Sequence, residues 1–235
     1  MVLALLVTDS AAAYVLPADF VLRMLVEKRR RLGIADITVT LSTEIDRKTS
    51  AVEERLYIKD PEKMRRVRTE DGGTKLVVIA ADKAAAGPEG ALKPLKAAPD
   101  ILPLLLQPAG EDLEQTQSRL VATLHRFDID TEVVSLGRLG NTVAYVIGAK
   151  PNEADKAQLW IDKESFVPLK IITPQKKDAK IETTEVRWLE FGSAVTGDWF
   201  PRVIEVWKDG RRLERSEATK VEINKKIPDT LFTLP

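Results

Sequence analysis

The chain of 235 residues contains no cysteine, and this absence excludes several kinds of chemistry. Disulfides, thiolate nucleophiles and thiolate-bound metals all require the missing side chain. Histidine is nearly absent as well, since His125 is its only occurrence. One imidazole cannot build a multi-histidine metal site. No partner motif surrounds His125, which is interpreted as a partly exposed helix residue rather than a pH sensor, and we expect neither a metal nor a cofactor.

An excess of one charge is also missing. The 36 basic residues balance 36 acidic residues, which gives a formal net charge of +0. Proteins that bind nucleic acid need a basic surface for the phosphates, so we expect no nucleic-acid partner. Hydrophobic residues make up 44% of the chain, enough for a sizeable core in one domain.

Recognisable catalytic motifs are absent too. Asp128-Ile129-Asp130 lacks the glycine and the distal glutamate of a calcium loop, so it is interpreted as a polar turn. The sequence has no nucleophile elbow and no phosphate-binding glycine loop, and Gly72-Gly73 is typical of a turn. We therefore predict that the protein is not an enzyme.

The first thirteen residues bear on location. The apolar run Met1–Val7 is followed by Ala11-Ala12-Ala13, a pattern typical of the later part of a secretory signal. The run is too short to span a bilayer, and the basic segment that opens such signals is missing. We interpret residues 1–13 as the remnant of a signal peptide whose start lies upstream, and predict a periplasmic protein. The alternative is a short buried strand.

Residues 14–235 are predicted to form a single domain that starts with a helix. Pro17 suits the first turn of a helix over 17–32, and Gly33 suits its end. A second helix is predicted over 111–127 because apolar residues recur there at helical spacing.

Most of the remaining chain alternates apolar and polar residues with the period of two that is typical of strands. Four strands are predicted between the helices and seven after them, with Lys208-Asp209-Gly210-Arg211 as a tight hairpin. One predicted strand carries Arg65, Arg66 and Arg68, which favours an exposed or edge strand, or else a rim of cations for an anionic head group. The four tryptophans are either core residues or walls of a lipid pocket.

The segment from Ala84 to Gly110 interrupts this pattern. Its five prolines argue against a central strand and against a long straight helix. Near its end lies a cluster of large aliphatic residues, Ile101, Leu102, Leu104, Leu105 and Leu106. Each contributes roughly 1.5–3 kcal/mol when fully buried, so the cluster should cover an apolar surface.

Several short motifs together resemble the LolA-type outer-membrane lipoprotein carriers and the wider LolA/LolB-like superfamily. The resemblance runs from about Leu16 to Pro235 and is carried by Leu56-Tyr57-Ile58-Lys59-Asp60-Pro61, Leu159-Trp160-Ile161-Asp162, Trp199-Phe200-Pro201 and Phe232-Thr233-Leu234-Pro235. Two features depart from the family. Asp60 occupies a position where the carriers have a basic residue that helps latch the lid, and the middle insertion is unusually rich in proline.

The resemblance implies an α+β fold that is mostly antiparallel sheet. Its form would be an unclosed half-barrel of about eleven strands with helices covering the concave face, and the rival is a closed calycin-type barrel. It also implies a monomeric periplasmic carrier of lipoprotein or lipid acyl chains. Its partners would be an inner-membrane lipoprotein-releasing complex and an outer-membrane acceptor. The alternative function is an envelope-stress sensor or interaction module that binds lipid or unfolded envelope protein.

For such a carrier, the alternation in the first two strands, together with one tryptophan of a later strand, predicts the wall of the cavity. The predicted wall residues are Ile37, Val39, Leu41, Leu56, Ile58 and Trp160. The aliphatic cluster at 101–106 is the predicted lid, apolar enough to fill the empty cavity and broken by proline so that it can move. A register error of one residue would move a side chain to the opposite face.

Overall fold

In the computed structural model, the described residues are 15–46, 51–59, 63–70, 72–81, 83–95, 105, 112–150, 152–177 and 180–235. The predicted signal remnant, Asp60 and four of the five lid residues (101, 102, 104 and 106) lie outside these ranges. The helices are α1 (Ala18–Arg30) and α2 (Leu113–Arg126), with a 3-10 helix at Asp229–Phe232. The strands are β1 (Asp36–Ile45), β2 (Val52–Lys59), β3 (Lys63–Glu70), β4 (Gly73–Ala80), β5 (Lys83–Pro88), β6 (Lys93–Leu95), β7 (Val134–Leu139), β8 (Thr142–Ile147), β9 (Gln158–Asp162), β10 (Pro168–Lys177), β11 (Lys180–Leu189), β12 (Val203–Lys208) and β13 (Arg211–Ile223).

All thirteen strands of the described ranges form one antiparallel sheet in the order β6-β5-β4-β3-β2-β1-β13-β12-β11-β10-β9-β8-β7. The chain makes two meanders, β1 to β6 and β7 to β13, and they meet where β1 pairs with β13. Because β6 and β7 end the order without pairing to each other, the sheet stays open. The predicted α+β half-barrel is confirmed, and the closed barrel is not formed.

The sequence-based prediction did not include strands β5 and β6, which lie in the proline-rich segment. Pro94 is part of the three-residue edge strand β6, and Pro88 ends β5. Proline is tolerated at the edge of a sheet because no partner there needs its missing N–H. Strand β5 has neighbours on both sides and pairs with β6 through Ala84–Ala86. This stretch contains no proline, so the strand can form.

Local sequence explains the ends of both helices. The side chain of Asp112 caps α2 by accepting hydrogen bonds from the backbone N–H groups of Glu114 (2.8 Å) and Gln115 (3.3 Å). Helix α1 follows Pro17 and carries Lys28, Arg29 and Arg30 in its last turn, where cations favour the helix dipole. Neither helix in the described part of the chain is long and apolar enough to cross a bilayer.

The hairpin between β12 and β13 confirms its prediction. Asp209 and Gly210 have φ angles of 48° and 77°, the left-handed values that a two-residue hairpin of this type needs. Near the end of the chain lies the 3-10 helix Asp229–Phe232. Its Phe232 packs on the sheet face opposite the two helices, in a small cluster with Val78 and Ile227.

Candidate functional site

The face of the sheet beneath the helices, called the inner face, is apolar across both meanders. On β1 and β2 the paired residues Ile37 and Ile58, and Val39 and Leu56, point to this side and are fully buried. Leu41 lies on the same side of β1 and is 1% exposed. The face arises because apolar residues alternate with threonine and serine along β1, and successive side chains of a strand point to opposite sides.

Both helices contribute to the core that covers the inner face. Five residues of α1 are buried there, and so are two residues of α2: Ala18, Val21, Leu22, Leu25, Val26, Leu120 and Leu124. The helices touch each other through a polar contact in which Gln117 Nε2 donates to the backbone oxygen of Asp19 (3.0 Å). Leu105, which lies between α1 and α2 in sequence, is also fully buried in this core.

One polar contact holds α1 to the loop before β12. The Arg29 side chain is 5% exposed, and its guanidinium donates to the backbone oxygen of Trp199 (3.0 Å). Burial lowers the pKa of Arg29 to about 10, and the nearby negative charge of Asp198 opposes this shift. The contact is specific, but nearly everything else that α1 buries against the sheet is aliphatic.

A charged network interrupts the apolar inner face. The fully buried carboxylate of Glu54 accepts hydrogen bonds from Thr43 Oγ1 (2.8 Å) and Arg68 Nε (2.6 Å). Arg68 also donates from both terminal nitrogens to Glu214, at 2.9 and 2.7 Å. Thr43 Oγ1 lies 2.9 Å from Ser216 Oγ, so the network joins β3, β2, β1 and β13.

The pKa values in this network follow from its pairing. Burial alone would raise the pKa of Glu54, but the charges of Arg66 and Arg68 and the hydrogen bonds from Arg68 and Thr43 outweigh it and lower the pKa. Burial alone would lower the pKa of Arg68, but its bonds to Glu214 and Glu54 raise it. Glu54 and Arg68 therefore both stay ionised at neutral pH.

Solved structures resemble this arrangement. A LolA superfamily protein from Nitrosomonas europaea matches at a TM-score of 0.55 and 14% identity, with 93% of this chain and 98% of that chain covered. A putative outer membrane lipoprotein-sorting protein domain from Vibrio parahaemolyticus matches at 0.54 and 11%, with 89% and 95% covered. A DUF1329 family protein from Desulfovibrio piger matches at 0.53 and 11%, with 93% and 98% covered. The chain has a LolA-like fold.

The two sequence-based comparisons give a different result. No protein-family model matches the chain, and no curated protein matches it either. The LolA-like fold is therefore carried by the arrangement of strands and helices, at identities of 11–14%.

Within this LolA-like fold, five of the six predicted wall residues lie together on the inner face: Ile37, Val39, Leu41, Leu56 and Ile58. Trp160 lies on the opposite, outer face, because the inner positions of β9 are Leu159 and Ile161. On the outer face Trp160 packs near Val167 and Leu169, and Lys170 Nζ lies 4.1 Å from its ring centroid. A role for the five inner residues in binding stays a prediction.

Sequence reasoning missed the charged network, although one signal was present. Glu54 has the same parity in β2 as Leu56 and Ile58, so alternation already places its carboxylate on the inner face. The predicted edge position of β3 is wrong, since β3 lies between β2 and β4. Its Arg65 reaches the outer face and donates to the backbone oxygen of Leu231 (3.1 Å), whereas Arg68 enters the network.

The sequence predicts no metal site in the described ranges of the chain. No three His, Asp or Glu side chains there are grouped so as to hold a metal ion. His125 Nε2 lies 3.0 Å from Thr131 Oγ1 in an exposed contact at the end of α2.

Proposed function

We propose that the protein binds the acyl chains of lipoproteins or lipids on its inner face and carries them through the periplasm toward the outer membrane. The observation that carries this proposal is an apolar sheet face covered by amphipathic helices rather than by a second sheet. The LolA-like fold supports it.

The energy available from acyl chains is sufficient for a carrier. Burial contributes about 0.8 kcal/mol per methylene, so a chain of ~14 carbons supplies on the order of 11 kcal/mol. A carrier must also release its cargo, so part of this energy should be offset by uncovering the inner face. Displacing aliphatic helix and lid residues from that face provides such an offset.

Leu105 is the described part of the proposed lid. It is fully buried in the same core as Ile37, Val39 and the two helices, so it occupies surface that an acyl chain would need. A lid at this position competes with the cargo. Removing its apolar side chain should therefore weaken the empty state more than the loaded state.

The lid is tested by replacing Leu105 with serine and measuring thermal stability and the affinity for a fluorescent fatty acid. We expect lower stability without ligand and tighter probe binding. Leu159→Ser is a matched control, because this residue is equally buried but belongs to the sheet; it should lose stability and gain no affinity. Unchanged or weaker probe binding by Leu105→Ser would contradict the lid.

The binding function is tested by mass spectrometry of the protein purified from envelope extracts. We expect acylated molecules to co-purify and to exchange with the fluorescent fatty acid. If no acylated species co-purifies and the probe does not bind, the proposed function is wrong.

A second experiment separates the carrier from the sensor. The loaded protein is mixed with acceptor vesicles, and a carrier should transfer its acyl chain to them. A protein that retains the chain would instead fit a sensor or interaction module of the same fold.

A further inference from the structure

The tryptophans of this sheet differ in how their indole N–H groups are satisfied. On the outer face, Trp160 Nε1 donates to Gln158 Oε1 (2.7 Å) and Trp207 Nε1 donates to Glu205 Oε2 (2.9 Å). In both cases the acceptor stands two residues earlier on the same strand, where side chains share a face. The outer-face tryptophans therefore carry their acceptor in the local sequence.

Trp188 of β11 breaks this pattern on the inner face. The residue two positions earlier is Val186, which offers no acceptor. Trp188 is fully buried, and among the described residues its Nε1 is a buried side-chain atom without a hydrogen-bond partner. A buried donor without an acceptor is destabilising, and native proteins rarely retain one without a reason.

The surroundings of Trp188 belong to the proposed binding face. Across the sheet it pairs with Ile204 of β12, which pairs in turn with Ser216 of the charged network. A separate unmatched donor lies on the same face five strands away, on β3, where the buried Nε–H of Arg66 has no acceptor among the described residues. The unmatched atom of Trp188 is an N–H donor, so a complementary ligand brings an oxygen acceptor.

We propose that the Trp188 indole N–H is a recognition site for the carbonyl oxygen at the head of an ester- or amide-linked acyl chain. The inference rests on the proposed function and narrows it, because plain hydrocarbon cannot satisfy this donor. An acyl ester supplies both the apolar chain for the inner face and the acceptor for Trp188. The site would select acyl chains from alkyl chains of equal length.

The test compares monopalmitoylglycerol with its ether counterpart, monohexadecylglycerol, as competitors of a bound fluorescent fatty acid. The two lipids have similar chains, and only the first has a carbonyl group. We expect the ester to bind about fivefold to tenfold more tightly than the ether, the effect of one additional hydrogen bond. Because the readout is a ratio within one protein, changes in overall stability largely cancel.

Variants assign the preference to Trp188. In Trp188→Phe the donor is removed and the ratio should fall to about one. In Val186→Gln the protein gains an internal acceptor at the position used on the outer face, and the ratio should also fall. The matched control is Trp207→Phe, which removes an indole on the outer face and should keep the wild-type ratio.

A measurement on the unaltered protein makes the test independent of variant folding. The NMR signal of the Trp188 indole N–H should shift downfield on addition of the ester and not on addition of the ether. Equal affinities in the wild type, or a preserved ratio in Trp188→Phe, would overturn the inference while leaving lipid binding intact. Failure of both lipids to bind would overturn the proposed function as well.

Discussion

The two faces of the sheet are made by the same strands, yet they differ in burial and in the kinds of side chain they carry. On the inner face, aliphatic residues from both meanders are buried beneath two helices, and one charged network crosses them. On the outer face, charged side chains of β10 to β12 contact the tryptophans of β9 and β12. Because side chains alternate between the two faces with a period of two, one strand contributes both to an apolar face and to a polar face.

The outer face shows how exposed strands are kept compatible with water. The guanidinium carbon of Arg187 lies 4.1 Å from the ring centroid of Trp207, and Arg187 Nε donates to Glu185 (2.7 Å). Arg212 donates to Glu205 (3.1 Å) on the neighbouring strand. Where one partner is exposed, as Arg212 is, solvent screens the pair and its contribution is small. Ion pairs on the inner face are shielded from solvent, so the same chemistry should contribute differently there.

The largest expected difference between the faces concerns arginine. Replacing Arg68 with methionine leaves Glu54 and Glu214 without their shared partner in a buried site, so we expect a loss of about 3–5 kcal/mol in the free energy of unfolding. Arg212→Met removes a pair on the outer face in which the arginine side chain is 44% exposed. Its buried acceptor Glu205 keeps the hydrogen bond from Trp207 and the nearby charge of Arg215, so the loss should be less than about 1 kcal/mol. Urea denaturation of both variants measures the contrast. Equal losses would show that the inner network is not energetically distinct.

A smaller effect is expected from pH. Because the pKa of Glu54 in the folded protein lies below its ordinary value of 4.5, its ionised form stabilises the fold fully above that value. This contribution is lost as the pH falls through the lowered pKa. The stability gap between the wild type and Glu54→Gln should therefore be widest above pH 4.5 and narrow on further acidification. A gap that stays constant from about pH 6 to about pH 3 would contradict this account.

The smallest predicted effect removes a single methyl group. Ile37→Val on the inner face should lower the free energy of unfolding by about 0.5–1.5 kcal/mol, because it leaves a small cavity in a close-packed core. Its neighbour Thr38 points to the outer face, and Thr38→Ser should change stability by less than about 0.5 kcal/mol. Thermal or chemical denaturation distinguishes the two, and a larger effect at Thr38 would mean that the faces are assigned in reverse.

The sequence predicted faces well where apolar and polar residues alternate. In β1 and β2 the alternation is clear, and Ile37 and Leu56 lie on the same side as expected. In β9 it fails, because Leu159, Trp160 and Ile161 are all apolar and their pattern does not favour either face. Trp160 was consequently assigned to the wrong side.

Contacts between residues far apart in the sequence were the second feature that could not be predicted. Glu54 carries a local signal, but its network also depends on Glu214 of β13, which lies 146 residues from its partner Arg68 in the sequence. No local pattern specifies that contact. The unmatched indole of Trp188 is a similar case, because the absence of an acceptor becomes visible only once every neighbouring strand is placed.

The central claim, that acyl chains bind the inner face, is tested most directly by photo-crosslinking. A fatty acid with a diazirine group along its chain is bound, irradiated and mapped by peptide mass spectrometry. The account predicts labels at alternate residues of β1 and β2, on Ile37, Val39 and Leu56, and none on Thr38 or Arg55 between them. Labels on the outer positions, or equal labelling of both sets, would contradict it.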